Sequence, residues 1–306
     1  MALWWSADDL AACMSALRDS GLIEPAARLT LLGEGFGSAA LESQNGVVIL
    51  VCKNEIGAES LRVSTALLPE LGPSLPLAVP RPLWSVDAGE GLPWGAWAYE
   101  KLPGRLMTNA DCLTHEVTLA REIASFLSSL HTFPTQLAVA LGVPSREAFW
   151  VMLRKVRGDI DDTLRERLAL HEYLRVQAWW DAFATDEALF AAPEALVHGD
   201  LWPDNMLVSE DGDHLLAVID WGDATVLDIA YDFAPLHHAG DHFAATCLQA
   251  YLETGAETDP TFEHRVGRYR QLRGSSFFSL RAAVRQDDEQ ELQDCLHKLR
   301  SSPVLG

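Results

Sequence analysis

Three oxygen-bearing side chains, Asp200, Asn205 and Asp220, are of the types that phosphoryl transfer needs. Asp200 and Asn205 stand five apart in the run His198-Gly199-Asp200-Leu201-Trp202-Pro203-Asp204-Asn205, and Asp220 follows fifteen residues later, after Leu216-Ala217-Val218-Ile219. A carboxylate beside a hydroxyl can orient it and accept its proton, which makes Asp200 the candidate catalytic base. The cations that accompany a phosphate cluster want hard oxygen ligands, so the Asn205 amide oxygen and the Asp220 carboxylate are candidate magnesium ligands. An H-G-D triplet alone is weak, because acids in surface loops usually cap turns. Three such groups at these separations say more. His198 is expected to brace the loop by hydrogen bonding, and Asp204 to be solvated or turn-forming. Asp223, Asp228 and Asp232 are expected to cap and brace the next helix start, where free N–H groups favour carboxylates.

Those residues need elements to hold them. Leu10, Met14 and Leu17 recur at helical spacing behind a start signal at Ser6, Asp8 and Asp9. A short apolar run at 29–32 comes next. Leu41 and Val47-Val48-Ile49-Leu50-Val51 then flank Asn45-Gly46, a hairpin signal. A helix is expected over 58–68, stopped by Pro69, and two more strands over 83–86 and 94–100. Beyond Lys101-Leu102-Pro103-Gly104 the pattern turns helical, with helices expected over 113–131, 146–156 and 163–184. Short strands at 206–208 and 216–219, joined by the turn 210–213, interrupt it, and helices resume near Asp228. This order predicts a sheet-rich first third and a mostly helical remainder carrying the polar motifs.

Gly33-Glu34-Gly35-Phe36-Gly37-Ser38 lies between the first two strands, where glycines let backbone N–H groups approach phosphates. A strand and not a helix follows, so it is not a dinucleotide fingerprint. The chain has 306 residues, enough for a two-lobed unit with a sizeable core. Its formal charge of -21 argues against a nucleic-acid or anionic-membrane surface and suits a cationic small substrate. Five cysteines without C-x-x-C spacing suggest reduced thiols and no zinc site. No signal peptide or membrane span is visible, so a cytoplasmic protein is expected. Its oligomeric state, monomer or homodimer, stays open.

The sequence resembles the aminoglycoside phosphotransferase and choline kinase group, small-molecule kinases built on the protein-kinase fold. The resemblance rests on H-G-D-x-x-x-x-N at 198–205, on Val218-Ile219-Asp220-Trp221-Gly222-Asp223, and on Asp228-Ile229-Ala230 with Tyr231-Asp232-Phe233-Ala234. It implies a bilobal α+β fold, with a nucleotide-binding lobe of small antiparallel sheet over 1–100 and a helical lobe over 101–306. It further implies ATP or GTP with Mg2+ between the lobes, phosphates under Gly33, Gly35, Gly37 and Ser38, and adenine against the backbone of Tyr99, Glu100, Lys101 and Leu102. The group places a Lys inside the third strand and a Glu in the next helix, forming an ion pair on the phosphates. An ungapped comparison puts Leu50 and Ser64 there, so Lys53, partnered by Glu59, is the candidate phosphate-binding lysine. Trp179 and Trp180, near Asp181 and Asp186, fall where the group shapes its acceptor pocket, although core packing explains them as well. His237, His238 and His242 have no metal spacing. The expected activity is transfer of the γ-phosphate to a hydroxyl of a small cationic molecule, an aminoglycoside-type antibiotic first. Macrolide, sugar-amine, choline-like or homoserine-like acceptors are the alternatives, with a non-catalytic nucleotide-binding module as a different class.

Overall fold

The computed structural model describes residues 7–89 and 91–306, so the helix start expected at Ser6 lies outside the described residues. The first part comprises α1 (Ala7–Asp19), β1 (Leu29–Glu34), β2 (Ser38–Ser43), β3 (Val47–Cys52), α2 (Glu55–Leu71), β4 (Pro82–Val86) and β5 (Ala96–Glu100). The strands form an antiparallel sheet in the order β1-β2-β3-β5-β4. Alternation along β3 divides its residues between two faces. Ile49 and Val51 pack with Ala96, Ala98 and the α1 residues Cys13 and Leu17. Val48 and Cys52 join Trp97, Tyr99 and the α2 residues Leu61 and Leu67.

Helix α2 begins earlier than the pattern predicts, because Asn54 caps it, its Oδ1 accepting from Gly57 N at 3.0 Å. Pro69 does not stop it. It lies within the last turn, where its ring forfeits the N–H bond to the carbonyl four residues back, yet the helix continues to Leu71 and Gly72 N donates to Leu68 O.

The remainder comprises β6 (Arg105–Leu106), α3 (Asn109–Thr114), α4 (Glu116–His131), α5 (Thr135–Ala140), α6 (Arg146–Arg167), α7 (Leu170–Ala184) and α8 (Glu187–Ala191). Then follow β7 (Ala195–Val197), β8 (Met206–Val208), β9 (Leu215–Val218), β10 (Thr225–Leu227), α9 (Ala230–Leu236), α10 (Asp241–Glu253), α11 (Phe262–Gly274), α12 (Phe277–Gln286) and α13 (Glu289–Arg300). The helix expected over 113–131 is two helices broken at His115. The Thr108–Asp111 capping box, held by Arg105 at 2.7 Å from Asp111, sets the first of them. The helix expected from 163 is also displaced. Helix α6 runs to Arg167, Leu168 and Ala169 are extended, and Glu172 accepts from Ala169 N at 2.9 Å to start α7.

Two small ladders frame the polar loops: β7 with β10, and β6 with β8 and β9. The sheet and the helical part are tied at Ala78, whose N donates to Leu216 O at 3.1 Å and whose O accepts from Val218 N at 3.0 Å. A continuous core runs from Val48 and α2 through α4, α6 and α11 to α13. All five cysteines are buried and free. Among the described residues, no helix is long and apolar enough to cross a membrane.

Candidate active site

The loop 198–205 leaves β7 and returns as β8, so its geometry is dictated from both ends. Gly199 adopts φ 83°, and a Cβ there would sit 2.2 Å from the Asp223 carbonyl oxygen. Only glycine fits this turn. Beneath it lies Asp232, fully buried. Its carboxylate accepts from His198 N at 3.0 Å, from Gly199 N at 2.8 Å and from His131 Nε2 at 3.1 Å. Asp232 therefore braces the loop backbone and not the helix start that its sequence position suggests. Asp228 does serve the helix start, accepting from Ala230 N at 3.1 Å, and it also pairs with buried Arg265 at 2.7 Å.

His198 is buried, accepts from Asp200 N at 3.2 Å through Nδ1 and donates from Nε2 to Ile219 O at 3.0 Å. Both ring nitrogens are spent on holding the loop and tying it to the end of β9. Asn205 Nδ2 donates to Asp200 Oδ2 at 2.9 Å and to Asp200 O at 2.8 Å, while Ile219 N donates to Asn205 O at 2.9 Å. The next residue, Asp220, has φ 61°, a left-handed conformation costly for a side-chain-bearing residue though least so for Asp and Asn. That turn sets Asp220 beside Asp200. Protein walls displace water around the Asp220 carboxyl and hold it above the usual range, and the Asp200 charge adds to this. The residue nevertheless keeps solvent contact. So the loop and the segment after β9 bring the three side chains together.

Asp223, expected as a cap, is instead solvent-accessible beside the same carboxylates. Desolvation, then Asp200 and Asp220, push its carboxyl to about 7, against the pull of Arg273. The sheet closes the other side. Desolvation and then the Asp220 charge raise the Tyr99 hydroxyl on β5 to about 12, and Ser60 Oγ of α2 leaves no room for a Cβ on Gly222. Asp220 therefore lies between the sheet and the helical part. The donor set suits Mg2+: with the Asn205 nitrogen turned to Asp200, its Oδ1 and the Asp220 carboxylate are the oxygens left for a cation. Among the described residues, no group of three or more His, Cys, Asp or Glu is arranged to hold a metal ion.

The glycine-rich turn is folded down onto α2. Gly35 N donates to Ser38 O at 2.9 Å, Lys53 N to Gly37 O at 2.8 Å, and Asn54 Nδ2 to Phe36 O at 2.9 Å. Gly57 accepts the close approach: a Cβ there would lie 2.0 Å from Gly37 O. Gly33 itself pairs across the hairpin with Ala40. Lys53 is buried under this turn, with Nζ 2.6 Å from Glu34 and 2.9 Å from Gly35 O. The pairing with Glu59 expected from sequence is thus replaced by one with Glu34, because Lys53 follows β3 and turns toward β1. At the family positions stand half-buried Leu50, packed against the core, and buried Ser64, both neutral.

At the sheet exit, Lys101 N donates to Gly46 O at 2.7 Å, Glu100 is exposed and Leu102 half-buried. Trp179 and Trp180 stack on Phe183 and Phe277 in the core and do not line the site. Asp181 pairs with Arg157 and Asp186 with Arg268. His237 pairs with Asp241 at 2.6 Å and His238 packs edge-on to Trp202. Sequence reasoning missed Arg273, whose guanidinium contacts Asp200. Nothing in a helical arginine so far along the chain announces that partner.

The phosphotransferase enzyme family, APH, matches residues 38–268, and the chain belongs to it. Its fold is the bilobal protein-kinase-like one. APH(2")-IIia, in its GDP and kanamycin complex, superposes with a TM-score of 0.81 at 21% identity, over 94% of this chain and 97% of that one. Macrolide 2'-phosphotransferase MphH from Brachybacterium faecium gives 0.69 at 21% identity, over 93% and 98%. The streptomycin-ATP-APH(2")-IIa ternary complex gives 0.72 at 19% identity, over 98% of both chains. The uncharacterized protein YcbJ of Bacillus subtilis (strain 168) is 30% identical over 138 residues, 44% of this chain and 43% of that protein, so the match spans under half the length of that relative.

Proposed function

We propose that this protein transfers the γ-phosphate of ATP or GTP to a hydroxyl of a small molecule. The observation that carries this reading is the arrangement of Asp200 and Asn205, on a loop braced from below by Asp232, with Asp220 beside them just past the end of β9. Asp200 faces the acceptor hydroxyl, orients it and takes its proton. Asn205 and Asp220 hold Mg2+, which when bound neutralises phosphate charge. Gly35, Gly37 and Ser38 offer backbone groups to the phosphates, with Lys53 holding that turn from beneath. Tyr99, Glu100 and Leu102 offer the backbone edge for the base. The nucleotide-binding unit is residues 1–100 and the acceptor is held by 101–306. The protein works in the cytoplasm, without nucleic-acid or membrane partners.

An aminoglycoside-type antibiotic is the favoured acceptor. The charge of -21 suits a polycation, and a structural relative carries kanamycin beside GDP. A macrolide is the next choice, since another relative is a macrolide 2'-phosphotransferase. The neutral Leu50–Ser64 pair favours a second reading, a nucleotide-binding module without turnover, because it removes one cation from the phosphates. Incubating the protein with γ-labelled ATP or GTP, Mg2+ and a panel of aminoglycosides, macrolides and amino-bearing metabolites separates the readings. Labelled acceptor or phosphate release supports transfer; nucleotide binding without either supports the second.

A further inference from the structure

Arg273 lies in the last turn of α11, far along the chain from the loop it touches. Its Nη1 donates to Gly199 O at 2.5 Å and its Nη2 to Asp200 Oδ1. Asn205 Nδ2 holds the other carboxylate oxygen, Oδ2, at 2.9 Å. A carboxylate gripped on one oxygen by a guanidinium and on the other by an amide has no freedom to rotate. The grip itself is rigid. The guanidinium sits 5.6 Å from the Tyr231 ring centroid, a cation–π contact, and its Nε is buried with no hydrogen-bond partner among the described residues. Helix α11 is anchored by Arg265, which binds Asp228 and Asp259, each at 2.7 Å. Arg270 on the same helix pairs with an exposed acid, Asp241, at 3.0 Å. Arg273 reaches the loop instead.

We propose that Arg273 is a positioning residue: it fixes the Asp200 carboxylate so that the Oδ2 edge meets the acceptor hydroxyl. The inference rests on the reading of Asp200 as the base. In that step the hydroxyl oxygen bonds to the γ-phosphorus as the bond from that phosphorus to its bridging oxygen breaks. The hydroxyl proton passes to Asp200 Oδ2, and the nucleoside diphosphate leaves with the bond electrons. Arg273 exchanges no proton.

The test measures Mg2+-dependent turnover of ATP, with water as acceptor, alongside nucleotide affinity by calorimetry and the unfolding temperature. Arg273→Ala should lower kcat about 100-fold, the cost of a misplaced catalytic group, with KM for MgATP within about threefold. Ethylguanidinium should restore about tenfold to Arg273→Ala and nothing to Asp200→Asn, and Arg273→Lys should fall between wild type and Arg273→Ala. Wild-type kcat in Arg273→Ala overturns the inference, and so does a loss that ethylguanidinium leaves untouched in a variant that melts like wild type. Should Arg273→Ala fail to fold, Arg273→Lys decides: a lowered kcat at unchanged KM supports the role, and an unchanged kcat refutes it. A wild-type protein that turns over no nucleotide, with water or with any acceptor of the panel, overturns the kinase reading itself, and this inference with it.

Discussion

At Asp200 a single carboxylate meets an arginine, an asparagine and two further aspartates, so its surroundings matter as much as its identity. Replacing it with Asn keeps the shape and removes the proton acceptor. Asp200→Asn should cut turnover by about 10²–10⁴-fold with nucleotide affinity nearly unchanged; comparable turnover in the mutant refutes the assignment. Asp223 carries a pH signature. Its carboxyl rises from an ordinary 3.8 to about 7 on folding, so the folded state binds more protons than the unfolded state between those values. The stability tied to this group is therefore present in acid and lost as pH rises through about 7. Asp223→Asn should flatten the fall in melting temperature between pH 5 and pH 8. The change should be modest, since the side chain keeps contact with water.

Among elements, α2 and the glycine-rich turn work as one unit. Asn54 both caps the helix and donates to Phe36 O at 2.9 Å. Asn54→Ala should cost about 1 kcal/mol in chemical denaturation and weaken nucleotide binding, through the lost cap and the freed turn. Gly57→Ala should be worse for the nucleotide, because the new methyl group meets Gly37 O, a backbone atom that cannot step aside. The loop 198–205 depends on elements of a size that sequence patterns do not show. Strands β7 and β10 span three residues each and exist only as each other's partner. A three-residue apolar run carries no period, which is why 195–197 and 225–227 are not legible beforehand. Strands β8 and β9 were legible because a turn signal joins them.

For the whole molecule, the decisive contacts join distant segments. Arg265 is buried and supplies the partner of fully buried Asp228. Removing the guanidinium leaves that carboxylate unpaired, so Arg265→Met should destabilise by about 3–5 kcal/mol in urea unfolding. It should also loosen α11 and lower turnover through Arg273. An unchanged unfolding midpoint would show that the pair is not the anchor described here.

The amino-acid order alone already singled out Asp200, Asn205 and Asp220 as candidates, the hairpin at Asn45-Gly46, and the change from sheet to helix near residue 100. These are local properties, written in spacing, turn residues and periodicity. Where Lys53 turns, which backbone Asp232 supports and what grips Asp200 were decided only by tertiary structure. Each joins residues far apart in the chain, and a long side chain selects its partner from whatever packing brings within reach. No sequence period encodes that choice.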